Sequence, residues 1–259
     1  MNTVNDVFQF LDGLAPVRLK MDFDNVGLLV GDAETPVTRC LVALDITDKV
    51  IEEAIAMRAE LIVSHHPIIF GSIKSVTADD LTGRKLLSLI RCGISAICMH
   101  TNLDIAEGGV NDELAKTLGI DVTGILEPCG DGNGCGRVGE LPKALTMGDF
   151  LSICKTRLCS NGLRYHDAGI PVRKVAVMGG SGGDCIELAK ALGCDTYVTS
   201  DIKYNGFLDA KELGINLIDA DHFCTENVIV PVLCEKLSER FPDAVFTVSA
   251  VHHQTAQFF

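Results

Sequence analysis

Short apolar runs alternate with stretches of helical spacing along most of this chain. Val4, Val7, Phe8 and Leu11 recur at intervals of three and four, which predicts an amphipathic helix. Residues 40–44 form a β-rich run, Thr47 follows as a helix cap, and Val50, Ile51, Ala54 and Ile55 make one apolar stripe. Residues 61–63 are apolar and end in Ser64-His65-His66-Pro67, and Leu86, Leu87 and Ile90 then predict a helix. The run at 94–99 ends in His100-Thr101-Asn102-Leu103-Asp104, and Val110, Leu114 and Leu118 mark a helix that stops near Gly119.

The rhythm resumes further on. Residues 172–178 predict a strand, Gly179-Gly180-Ser181-Gly182-Gly183 a turn, and Ile186, Ala189 and Leu192 a helix. Strands are expected at 196–199, ending in Ser200-Asp201, and at 215–218, ending in Asp219-Ala220-Asp221-His222. A helix carrying Val228, Val232 and Leu233 and a last strand at 245–251 complete the pattern. Between the halves, residues 129–139 hold five glycines and read as irregular structure at a boundary. The expectation is an α/β protein of two similar lobes, with mixed, largely parallel sheets flanked by helices and a metal site in the cleft between lobes. The lobes are residues 1–128, taken together with the C-terminal segment, and 141–259, joined by a Gly-rich connection at 129–140.

Composition narrows the function. With 22 Lys plus Arg against 35 Asp plus Glu, the chain of 259 residues carries a formal charge of −13 and repels phosphate backbones, so nucleic acid is not an expected partner. No apolar run approaches the roughly 18 residues of a membrane span, and the N-terminus lacks a signal-peptide pattern. The 11 cysteines have no framework spacing and read as reduced, mostly buried thiols of a cytoplasmic protein.

In open α/β sheets ligands collect beyond the carboxyl ends of strands. His65, His66, His100 and His222 stand at such ends, accompanied by Asp104, Asp201 and Glu226. Adjacent side chains of an extended segment point to opposite faces, so the His65-His66 doublet suits two neighbouring cations better than one; a polar strand end is the plainer reading of the doublet alone. His100 and Asp104 are four apart, as are His222 and Glu226, which share a face if their segment is helical; Pro231 limits where that helix can begin. Mixed imidazole and carboxylate ligation suits Zn, Fe, Mn or Co. The Gly179–Gly183 loop lacks a P-loop ending, and a phosphate site and a tight turn weigh equally there.

The stretches DNVGLLVGD (24–32), VALDIT (42–47), LIVSHHPIIF (61–70), HTNLD (100–104), GRVGEL (136–141), TSDIKYN (199–205), DADHFCTE (219–226) and the terminal HHQT run in order across nearly the whole chain. In them the sequence resembles the family of GTP cyclohydrolase 1 type 2 homologues, also described as Ngg-interacting-factor-like proteins. The resemblance implies a homohexamer built as a trimer of dimers and two divalent cations per chain. It implies that His65 and His222 hold one cation, that His66 and Asp104 hold the other, and that Glu226 bridges both. It further implies a hydrolase whose metal-activated water attacks a nucleotide-type substrate, with GTP imidazole-ring opening suggested by the family name. Phosphoester hydrolysis and metal handling without turnover are the alternatives. His100 is the candidate for proton transfer, with the tail residues His252 and His253 as further candidates. Ser200 stands where relatives often carry Gly.

Overall fold

The computed structural model describes residues 2–130 and 132–259. They form two compact units, one of Met1–Ala106 with Val230–His253 and one of Glu107–Ile229 with Gln254–Phe259.

The first unit begins with α1 (Val4–Leu14), β1 (Gly27–Val30), β2 (Arg39–Ala43), α2 (Asp48–Met57), β3 (Leu61–Ser64), α3 (Leu81–Cys92), β4 (Ser95–Cys98) and the single-turn α4 (Thr101–Ile105). The second contains α5 (Val110–Leu118), β5 (Asp121–Gly130), β6 (Asn133–Leu145), α6 (Met147–Arg157), β7 (Arg164–His166), β8 (Val172–Ser181), α7 (Ile186–Ala191), β9 (Thr196–Ser200), α8 (Tyr204–Leu213), β10 (Asn216–Asp219) and the single-turn α9 (His222–Glu226). The chain then returns through α10 (Ile229–Arg240) to β11 (Val245–Val248) in the first unit.

Local chemistry sets these elements. Thr3 and Asp6 form a reciprocal capping box for α1, which buries Val4, Val7 and Leu11. The Thr47 hydroxyl accepts from Val50 N at the start of α2, and Gly119, at φ 78°, closes α5 in the left-handed conformation that glycine adopts without a Cβ penalty.

The first sheet has the order β1-β4-β3-β2-β11, in which β1 is antiparallel and the other four strands are mutually parallel. The second has the order β5-β6-β8-β9-β10-β7, with β8, β9 and β10 parallel. Leu41, Ile62 and Ala96 of the first sheet pack against Val50, Ile51, Ala54, Leu86 and Leu89 of α2 and α3. In the second unit Val175, Val177, Val198 and Ile218 pack against Leu114, Leu118, Phe150 and Cys154.

The two units repeat one order of elements. In each, a helix and an antiparallel edge strand precede three parallel strands joined by helices, and a single helical turn follows the third: α1, β1, β2, β3, β4 and α4 correspond to α6, β7, β8, β9, β10 and α9. The correspondence extends to individual hydrogen bonds. Glu60, just before β3, accepts from Thr38 N and Arg39 N, and Asp195, just before β9, accepts from Arg173 N and Lys174 N. Ser95 N donates to Glu60 O and Asn216 N to Asp195 O, both at 2.9 Å. The residues differ at most of these positions, which is why the sequence shows a shared rhythm and no repeat.

Three expectations change. The Gly-rich segment is the end of a long β-hairpin, because β5 and β6 pair from Asp121↔Glu140 to Gly130↔Asn133. Its glycines permit that pairing: a Cβ on Gly134 would overlap Glu127 O and one on Gly139 would overlap Asp121 O, both on the facing strand. Asp131, within this segment, lies outside the described residues. The division of the chain falls between Ala106 and Glu107 rather than at 129–140, since the hairpin belongs to the second sheet. The last strand ends at Val248, and residues 249–253 form no regular element, bending at Ala250 and Val251.

Glu60 also accepts from the Thr38 hydroxyl and the Arg39 guanidinium at 2.9 Å each. Burial works against its charge, but these hydrogen bonds outweigh burial and lower its pKa. A carboxylate lowered in the folded state adds stability above its unfolded pKa, about 4.3, and that stability fades as pH falls through the folded value. Glu60→Gln leaves two strand N–H groups poorly paired and is expected to cost about 1–3 kcal/mol at pH 7. In urea titrations the deficit relative to wild type should stay constant from about pH 7 to 5 and shrink below about pH 4.

Candidate metal centre

The carboxyl edge of the first sheet gathers the histidines. In the lateral order β11-β2-β3-β4-β1, the residues just beyond the strands at that edge are His252, Asp45, the pair His65 and His66, His100, and Asp24, which precedes the antiparallel β1. The imidazoles form one cluster, with ring centroids 5.0 Å apart for His65 and His66, 5.3 Å for His65 and His100, and 5.5 Å for His66 and His100. One ring nitrogen from each lies within 4.8 Å of the others. The doublet reaches one edge with both rings because β3 ends at Ser64, whose hydroxyl bonds to His66 O at 2.8 Å and closes a bend.

Each ring is oriented through Nδ1. His65, fully buried, places Nδ1 2.8 Å from Met99 O; His66 places Nδ1 2.8 Å from Asp45 Oδ1; and His100 places Nδ1 2.7 Å from Asp24 Oδ1. A carbonyl or carboxylate oxygen only accepts, so Nδ1 carries the proton and, in the neutral ring, Nε2 carries the lone pair. This is the tautomer in which histidines ligate metals with an oxygen partner behind them. His65 Nε2 faces Asp104 Oδ1 at 3.6 Å, and Asp104 stands on α4, whose N-cap is His100.

The flanking acids are charged. Burial opposes ionisation of Asp24, but hydrogen bonds from His100 and from the Thr101 hydroxyl and backbone hold its carboxyl well below the usual range. Asp45 is likewise held low against burial by His252 and His66.

The second unit carries the corresponding turn. His222 and Glu226 lie on α9, with Nε2 and Oε2 3.0 Å apart, and His222 Nδ1 lies 2.8 Å from Asp201 Oδ2, beyond the end of β9. Burial lowers the His222 pKa, but Glu226 and then Asp201 outweigh it and raise it to about 9. Pro231 falls in the first turn of α10, where its missing N–H is tolerated, so the His222–Glu226 turn and α10 are separate helices.

The segment read as a turn, Gly179–Gly183, begins as the irregular end of β8, which runs on to pair Ser181 with Ser200, and it makes room for this pair. Gly180 has φ 64°, and a Cβ there would overlap Glu226 Oε1 and stand 3.3 Å from His222 Cε1. Gly179 N donates to Asn111 Oδ1, Gly180 N to the Thr225 hydroxyl and Gly182 N to the Thr199 hydroxyl, so the segment spends these N–H groups on side chains of α5, α9 and β9 rather than on a phosphate. A groove of about 290 Å³ beside it is lined by Asp184, Glu187, Asp201, Asp209 and Lys203, an excess of carboxylate that disfavours a phosphate there too.

The first unit thus brings together His65, His66, His100 and Asp104, and the second pairs His222 with Glu226. Nitrogen and oxygen donors of this kind fit a divalent transition metal. Sequence reasoning gave no role to Asp24 or Asp45 and read Gly180 only as part of a turn or a phosphate loop. Asp45 and Asp24 stand in quoted motifs, but their partners His66, His252 and His100 lie 21, 207 and 76 positions away. The cysteines stay outside this chemistry: all 11 are free, and Cys40, Cys98, Cys135, Cys154, Cys194 and Cys224 are buried. Among the described residues no helix is long and apolar enough to cross a membrane.

The sequence matches the family described as Duf34/NIF3 (NGG1p interacting factor 3) over residues 2–257. It is 42% identical over 250 residues to a Clostridium perfringens protein named GTP cyclohydrolase 1 type 2 homolog, with 95% of each chain covered. The fold is similar to that of a Bacillus cereus protein related to NIF3, with a TM-score of 0.94, 25% identity, and 100% of this chain and 99% of that one covered. A Staphylococcus aureus hypothetical protein gives a TM-score of 0.93 at 30% identity, with 99% of each chain covered. With the family model matched over nearly the whole chain and its fold of two mixed sheets shared with these structures, the chain belongs to the Duf34/NIF3 family.

Proposed function

We propose that the protein is a dinuclear metal-dependent hydrolase of nucleotide-type substrates, with His65, His66, Asp104, His222 and Glu226 as ligands of two divalent cations. The observation that carries this reading is the common orientation of His65, His66 and His100, whose Nδ1 atoms all meet an oxygen acceptor at 2.7–2.8 Å. An imidazole anchored through Nδ1 presents its Nε2 lone pair outward, as a ligand from His65 and His66 and as a base from His100. The name of the Clostridium perfringens relative supports a nucleotide substrate.

Bound cations would supply Lewis acidity and lower the pKa of a water toward neutrality. The protein's own part is orientation and proton transfer. His100, with Nδ1–H given to Asp24, presents Nε2 as a base in the manner of a His–Asp dyad, so it accepts a proton while the buried carboxylate stabilises the resulting charge. Glu226, 3% exposed, has its place fixed by Gly180 and serves as ligand rather than as base. The same resemblance supports a homohexamer, a trimer of dimers, which sedimentation of the full chain tests directly.

Elemental analysis and calorimetry should find two equivalents of Zn, Mn, Fe or Co per chain. Glu226→Ala should lose both and His65→Ala mainly one; full occupancy in Glu226→Ala would refute the ligand assignment. Gly180→Ala, which pushes Glu226 aside, should weaken cation binding about tenfold or more while the fold persists. Reconstituted protein should turn over GTP or a member of a phosphoester panel. Turnover of neither would discard the enzyme and leave metal binding without catalysis. His100→Ala should lower turnover by about 100-fold or more with both cations retained.

A further inference from the structure

One carboxylate at the edge of the first sheet has a partner on each oxygen. Asp45 Oδ1 lies 2.8 Å from His66 Nδ1, and Asp45 Oδ2 lies 2.8 Å from His252 Nε2. The three residues stand beyond adjacent parallel strands, in the order β11, β2, β3. Packing alone does not hold the first two, since the side chains of His66 and Asp45 are 21% and 40% exposed, whereas that of His252 is only 10% exposed.

His252 is delivered to this position by a tail built for it. β11 runs in register with β2, from Val245↔Arg39 to Val248↔Val42, and Ser249 N extends the ladder to Val42 O at 2.9 Å. Glu53 of α2 then takes both the Ser249 hydroxyl, at 2.6 Å, and Ala250 N, at 2.9 Å. The chain is pinned twice within the three residues before His252.

We propose that His252 is a positioning residue for the His66 imidazole and acts through Asp45. A carboxylate bonded on one oxygen alone turns about its Cβ–Cγ bond. A second N–H donor on the other oxygen fixes its plane, and a fixed acceptor holds His66 in the Nδ1–H tautomer that presents Nε2 to a cation. The C-terminal segment is then part of the metal centre, although His252 is not itself a ligand. The inference rests on the metal reading above, and the two are separable by experiment.

The test uses the full chain with ¹⁵N-labelled histidine. In metal-free wild type, long-range ¹H–¹⁵N spectra should show His66 in the single Nδ1–H tautomer. His252→Ala should mix the tautomers and weaken Zn or Mn binding at one of the two sites about tenfold, as loss of an outer partner does. His252→Gln, whose amide N–H also reaches a carboxylate, should restore most of both. Asp45→Asn should reproduce the defect, and His253→Ala, at an exposed neighbour, should not. If His252→Ala keeps the wild-type tautomer and both affinities, the inference is wrong and the metal reading stands. If wild type takes up no divalent cation, the metal reading fails, and the His66 tautomer in His252→Ala still decides whether His252 acts through Asp45.

Discussion

Parallel strands end on the same edge of a sheet, about 4.8 Å from one another. In the first unit four such strands lie side by side, and the antiparallel β1 enters from that same edge. Side chains from positions 24, 45, 65, 66, 100 and 252 are brought into one row by this geometry, with no help from sequence proximity. Backbone pairing therefore decides which groups can touch. The row has an internal logic of its own: Asp24 fixes His100 at one end, and Asp45 takes His66 on one oxygen and His252 on the other.

The second unit repeats the device in reduced form. A His–x–x–x–acid turn follows the third parallel strand in both units, His100 to Asp104 on α4 and His222 to Glu226 on α9, and an aspartate receives Nδ1 of each leading histidine. The carboxylate brace before the middle strand is repeated too, as Glu60 and Asp195. What differs is the tip of that strand, which carries His65 and His66 in one unit and Asp201 in the other. The halves thus share a scaffold and differ in the candidate donor groups they carry, with imidazoles concentrated in the first.

Much of this was legible in the sequence. The parallel strands and their helices announce themselves by period, and the ligand candidates by standing at strand ends. The Gly-rich segment was not, because glycine is a sign of irregular backbone and of close strand approach alike, and only the facing carbonyls of Asp121 and Glu127 distinguish the two. β7, with three residues, is too short to show a period. Asp45 and Asp24 escaped because a single aspartate beside a strand end has no spacing to mark it. The roles of the Gly179–Gly183 loop were undecidable until its N–H groups were seen to be taken by Asn111, Thr225 and Thr199.

The central claim is that imidazoles oriented through Nδ1 exist to present Nε2 to a pair of cations. Anomalous diffraction from crystals soaked in Zn or Mn, recorded across the metal's absorption edge, tests it most directly. The account predicts two strong peaks per chain, with Nε2 of His65, His66 and His222 and the carboxylates of Asp104 and Glu226 as their protein ligands. Peaks only at other residues, or none at saturating metal, would contradict it.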